Sequence, residues 1–243
     1  MRMLTFAKRC AKEILRDPIN LIFGLGFPLV LLLLLSAIQA NIPADLFKID
    51  NLTPGITVFG LSFMTLFSAT LIAKDRESAF LQRLYTTPLT GFDFILGYML
   101  PILPIAIAQT VICYLAAIPL GLTLRISIFY AILGIIPMAV FNIALGLLCG
   151  SILGVKQVGG ICGALLTNLS AWLSGVWFDL ELVGGGFKKV AYALPFVHAV
   201  EMERAILTGN FGEILTHLWW VLGYAAAAFL LAVILFLKQM KKH

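Results

Sequence analysis

The sequence predicts an all-α polytopic membrane protein: six transmembrane helices, an N-terminal amphipathic interfacial helix, and two short outer re-entrant helices before the last span. Three observations carry this. Six long apolar stretches run through the chain. Composition is 61% hydrophobic and only 12% charged, with a mean hydropathy of +1.02. Lys and Arg gather in alternate connecting segments. A soluble domain of 243 residues needs far more polar surface to cover its core. A bilayer removes that need.

A helix crosses the hydrocarbon core with about 20 apolar residues. The spans read at 19–40, 53–73, 94–119, 126–150, 158–178 and 216–237, and none contains Asp, Glu, Lys or Arg. If the N-terminus is inside, twelve of the 17 basic residues fall on that side. They are Arg2, Lys8, Arg9, Lys12, Arg16, Lys74, Arg76, Arg83, Lys156, Lys238, Lys241 and Lys242. By the positive-inside bias both termini are expected to be cytoplasmic. The net charge of +5 is then a topology signal, and no segment is long enough to make a nucleic-acid face. The apolar run of the first span exceeds the roughly 7–15 residues of a signal-peptide core, so it reads as an uncleaved anchor. Four cysteines lie in spans or on the inner side, so no structural disulfide is expected, and no metal-ligand spacing is present.

The elements follow in order. Residues 2–16 put Met3, Ala7, Cys10 and Ile14 on one face and Arg2, Lys8, Arg9, Lys12 and Arg16 on the other. That pattern predicts a helix lying in the headgroup layer, or simply a positive flank that sets topology. Asp17-Pro18 then turns the chain into the membrane. The loop 74–93 opens on Lys74-Asp75-Arg76-Glu77, continues through an apolar face of Phe80, Leu81, Leu84 and Tyr85, and closes at Thr87-Pro88. An apolar face too short to span suggests docking onto a partner protein. Gly146, Gly150 and Gly154, then Gly159 and Gly163, predict close helix packing. Pro101, Pro104 and Pro137 predict local kinks. The outer segment 179–215 breaks at Gly184-Gly185-Gly186 and offers helical stretches at 187–194 and 196–207.

Absences narrow the function. Charge-free spans disfavour an ion-coupled carrier and exclude a voltage sensor. An embedded hydrolase would need a dyad such as Ser174 with His198, without any supporting motif. No phosphate-binding Gly-x-x-x-x-Gly-Lys-Ser/Thr loop is present, so ATP chemistry would have to come from another polypeptide.

The stretch Ala73-Lys-Asp-Arg-Glu-Ser-Ala-Phe-Leu-Gln-Arg-Leu-Tyr-Thr-Thr-Pro88, followed by Gly97, resembles the ABC-2 type permeases, membrane subunits of a class of ATP-binding-cassette exporters. So does Ser174-Gly-Val-Trp-Phe through Leu194-Pro-Phe-Val-His-Ala-Val-Glu201. The likeness runs nearly end to end, making residues 1–243 one transmembrane domain. Two departures are Ser78-Ala79, where the family commonly has Gly-Thr, and Tyr98, where it often has Lys.

The resemblance implies a non-catalytic subunit of a bacterial cytoplasmic membrane that pairs with a second permease, identical or paralogous, and with two copies of an ATPase subunit. ATP and Mg would be bound by that partner and no cofactor or metal by this chain. The ATPase-coupling loop would use Phe80, Leu81 and Leu84, ending at Thr87 and Pro88, with Asp75, Arg76 and Glu77 making polar contacts. Ser62, Thr65, Ser68, Asn168, Ser170 and Trp172 would line the translocation path, although each is as readily an interhelical hydrogen-bonding group. Pro195, His198 and Glu201 mark the outer re-entrant segment. A path without charge suits a lipophilic or amphipathic substrate, as in drug and antibiotic export. Polysaccharide, teichoic-acid or peptide export remains the alternative within the family.

Overall fold

The computed structural model describes residues 2–42, 47–78, 80 and 90–240, all helices and connections. Helix α1 (Arg2–Leu15) buries Phe6, Ala7, Cys10 and Ile14, a spacing that lines one face. That face is spent on protein, not on lipid headgroups. The Phe6 ring meets Phe94 and Tyr98 edge-on at 5.5 and 4.9 Å, and a Cβ at Gly97 would stand 2.3 Å from it. Gly97 is thus the seat of α1. Burial pushes the Cys10 thiol up to about 12, so it behaves as an apolar group.

Helix α2 (Pro18–Gln39) starts with Pro in its first turn and with the Asp17 carboxylate accepting from Asn20 N–H at 3.3 Å. Most of its length is exposed, as expected of a helix facing lipid or a second subunit. The expected second span is longer than 53–73 and divided: α3 (Ile49–Gly60) and α4 (Ser62–Glu77) meet at a turn on Leu61. Gly60 lies there because a Cβ would sit 2.4 Å from Gln109 Nε2 and 2.9 Å from Pro28.

Helix α5 (Gly91–Ala117) opens with a capping box: Thr90 N–H donates to Asp93 and Asp93 N–H to Thr90 Oγ1. Helices α5 and α6 (Ser127–Ile152) run unbroken through Pro101, Pro104 and Pro137. Gly146 and Gly150 of α6 lie directly on the α4 backbone, where a Cβ would stand 2.2 Å from the carbonyls of Thr65 and Ala69. Among the described residues nothing lies within 4 Å of a Cβ at Gly159.

The stretch expected as a fifth span, 158–178, is not one long α-helix. It comprises α7 (Val155–Val158), a π-helical section Gly159–Leu166, and α8 (Thr167–Leu173). Five helices among the described residues are long and apolar enough to cross a membrane: Pro18–Gln39, Ile49–Glu77, Gly91–Ala117, Ser127–Ile152 and Phe211–Lys238.

Three short helices follow, α9 (Leu180–Val183), α10 (Gly185–Tyr192) and α11 (Pro195–Thr208), before α12 (Phe211–Met240). Gly209, left-handed at φ 79°, stops α11. The outer helices were expected to dip into a leaflet. Helix α11 packs against α6, α12 and α3, with Phe196, Val197, Val200 and Met202 buried.

Candidate functional site

At the basic end of the molecule the chain knits five helices around residues 74–80. Lys74 to Glu77 form the last turn of α4, not a loop, and each charge finds a partner within the chain. Asp75, its side chain 2% exposed, accepts both guanidinium nitrogens of Arg9, one at 2.6 Å, and the Tyr98 hydroxyl at 2.8 Å. Arg9 also meets Glu13 at 2.7 Å and lies 4.1 Å over the Phe80 ring. Burial and the Asp75 charge together hold the Glu13 carboxyl above its usual range. Lys74 reaches Asp17 at 3.4 Å.

Arg76 and Glu77 each take a helix terminus. Arg76 donates to the Ser151 and Leu153 carbonyls at the C-terminal end of α6. Glu77 Oε1 accepts Val155 N–H at 2.8 Å, at the start of α7. Cation on the C-terminal end and anion on the N-terminal end complement both helix dipoles. The result ties α1, α4, α5, α6 and α7 into one unit at the entrance to segment 81–89. Leu81, Leu84, Thr87 and Pro88 of the expected coupling loop lie outside the described residues.

The expected path residues do not converge on one surface. Thr65 Oγ1 donates toward the Asn142 carbonyl and side-chain oxygen at 3.0 and 3.1 Å, holding α4 to α6. Ser68 donates to Met64 O, and Ser170 to Thr167 O. Ser62 is buried with its hydroxyl unpartnered among the described residues. Asn168 and Trp172 differ: both are exposed and lie in an open groove of about 550 Å³. Its walls are Phe23 and Phe27 of α2, Phe59 and Phe63 of α3 and α4, and Trp172 and Trp177. Among the described residues no Asp, Glu, Lys or Arg lines it. Sequence reasoning missed the α2 wall, because lipid-facing and groove-facing aromatics look alike in a hydropathy profile.

At the opposite end, Pro195 opens α11. His198 Nε2–H donates to Tyr192 O and its Nδ1 pairs with His217 Nδ1, both at 2.9 Å, while Trp220 stacks on the ring at 4.8 Å. Burial holds His198 below its ordinary pKa, so the ring is neutral. Ser174 donates to Ala171 O, so the two groups of the imagined hydrolase dyad are both committed elsewhere. Glu201 pairs with Arg204 at 2.8 Å.

Two groups escaped the sequence reading. Tyr98, one of the departures from the family pattern, shares the Asp75 carboxylate. Glu203 is fully buried and bonded by the Tyr114 hydroxyl at 2.9 Å. Its signal was its place between Met202 and Ala205 on an apolar helix face. Among the described residues no group of three or more His, Cys, Asp or Glu is arranged to hold a metal ion.

Comparison with known proteins agrees with this architecture. The family model for ABC-2 type transporters matches residues 1–208. A chain of Cyanophora paradoxa named as a transport permease, ycf38, is 32% identical over 161 residues, 60% of this chain and 54% of that one. The capsule polysaccharide export inner-membrane protein CtrC of Neisseria meningitidis is 30% identical over 127 residues, 51% of this chain and 47% of that one. The matches thus span about half the length of these relatives. The family model covers most of the chain, which belongs to the ABC-2 type transporter family, as a multi-pass membrane permease.

Proposed function

We propose that this chain is the membrane subunit of an ATP-driven exporter, powered by a separate ABC ATPase, that moves a lipophilic or amphipathic substrate out of the cytoplasm. The observation that carries the reading is the tie of five helices at residues 74–80, in a chain with no phosphate-binding loop of its own. A push on segment 81–89 would reach α1, α4, α5, α6 and α7 together. Asp75, Arg76 and Glu77 act by holding that unit rigid, with the Phe80 ring packed under Arg9 as part of it, leaving Leu81 and Leu84 for the ATPase. The basic end is cytoplasmic on the positive-inside argument. The π-broken helix over 155–173 makes the sixth crossing.

The aromatic groove is the path wall, completed by a second permease subunit. Its rings suit an apolar body, and Asn168 offers the polar contact. A second reading has support in the polysaccharide-exporting relative: exposed Trp and Phe faces also stack on sugar rings, so a glycan or lipid-linked glycan would fit the same groove.

Gentle purification from the native membrane tests the mechanism. A stoichiometric ABC ATPase is expected with the chain, and Leu81→Asp with Leu84→Asp should release it without loss of membrane insertion. A chain stable and alone, or unchanged co-purification of the double variant, would sink the reading. In the reconstituted complex, Trp172→Ala should cut transport several-fold while the ATPase stays bound. Comparing lipophilic dyes with lipid-linked oligosaccharides as stimulants of ATP hydrolysis separates the two substrate classes.

A further inference from the structure

Glu203 has no place in the mechanism above, yet it is chemically the most conspicuous group in the molecule. It lies on α11, fully buried. The Tyr114 hydroxyl of α5 is 2.9 Å from Oε2, and among the described residues Oε1 has no partner. Among the described residues no cation is paired with it. Arg204, the next residue, turns to Glu201 and to the Asn51 carbonyl. From α6 the neighbour is Gly134, where a Cβ would stand 3.0 Å from Oε1. From α3 comes Thr57, whose hydroxyl donates to Pro54 O. On α12, His217 is committed to His198, which also engages Tyr192 O on α10. Cys113, beside Tyr114 on α5, bonds Gln109.

An ionised carboxylate with an orphan oxygen and no countercharge is among the costliest groups a protein interior can hold. A carboxylic acid is not. Its hydroxyl placed on Oε2 can face Tyr114, leaving only a neutral carbonyl oxygen unpaired. We propose that Glu203 is a proton-binding site: its carboxyl carries a proton while α11 is seated on α5 and α6, and gives that proton to water when α11 lifts away. The bond broken is O–H of the acid; the products are a solvated carboxylate and a hydronium ion. Since α11 closes the end of the bundle opposite the basic end, opening that end is linked to proton release there. This inference stands apart from the ATPase partner and is read on the isolated chain.

Hydrogen exchange of α11 peptides, corrected for the intrinsic pH dependence, tests it on the full chain in lipid nanodiscs. Burial pushes Glu203 up to about 8. Opening should therefore grow easier by about tenfold per pH unit from the ordinary carboxylate range to about 8, then level off. Glu203→Gln, neutral at every pH, should show no such slope. Tyr114→Phe removes a donor that favours the ionised form and should move the plateau to higher pH. Infrared spectra of wild type labelled with ¹³C-glutamate should show a protonated-carboxyl band at neutral pH that Glu203→Gln lacks. A slope unchanged in Glu203→Gln overturns the proposal. So does a neutral-pH spectrum without that band, a readout that needs no variant to fold.

Discussion

Asp75 and Glu203 are both fully enclosed carboxyls bonded by a tyrosine hydroxyl, at opposite ends of the same bundle. Asp75 receives a bidentate guanidinium as well; among the described residues Glu203 receives nothing more. The difference shows that burial alone does not decide what a carboxyl does. At the basic end a countercharge makes the group a permanent joint between α1, α4 and α5. At the other end its lack makes the group a neutral acid whose retention depends on the seating of one helix. One end is held by paired charges, and on the proposal above the other is free to come apart.

The comparison breaks first at Arg9. Arg9→Ala leaves Asp75 charged and uncompensated, and breaking a buried pair this way costs about 3 kcal/mol, the low end of the range because Arg9 is partly exposed. Asp75→Asn in the same chain should recover at least half of that loss, measured by unfolding in detergent. No recovery would mean that Arg9 serves chiefly to pack against Phe80.

The two tyrosines sharpen the contrast with one chemical change. Tyr98→Phe removes a hydrogen bond to a charged group and should cost about 2 kcal/mol, while Tyr114→Phe, beside a neutral acid, should cost about 1 kcal/mol. Equal costs at pH 7 would argue that both carboxyls carry the same charge. The smallest effect belongs to Glu201, half a turn from Glu203 but paired with Arg204 at a partly exposed site. Glu201→Ala should change stability by about 0.5 kcal/mol or less and leave the pH slope of α11 exchange intact.

Much of the fold was legible because bilayer crossing is a local demand. Twenty apolar residues announce themselves wherever they occur, so α2, α5, α6 and α12 lie within a few residues of their expected bounds. The break at Leu61 was not legible, since Gly60 yields to Gln109 and Pro28, residues distant in sequence. Nor was the π-helical section over Gly159–Leu166, because hydropathy reports environment and not hydrogen-bond register. The amphipathy of α1 was legible as a pattern but its packing partner was not: an apolar face fits a headgroup layer or a helix bundle equally well, and Phe6 is seated on the bundle at Gly97.

The site divides in the same way. The charged run 74–77 stood out by composition, and the aromatic content of α2, α3 and α8 was plain. Which charges face inward was a matter of pairing across long stretches of chain, as with Arg9 and Asp75. By itself the sequence determined a charge-poor helical membrane protein with a basic side and a conspicuous charged turn, because hydropathy and charge act residue by residue. Only the tertiary structure decided that one buried acid has a cation and the other has none, because compensation depends on which helices meet.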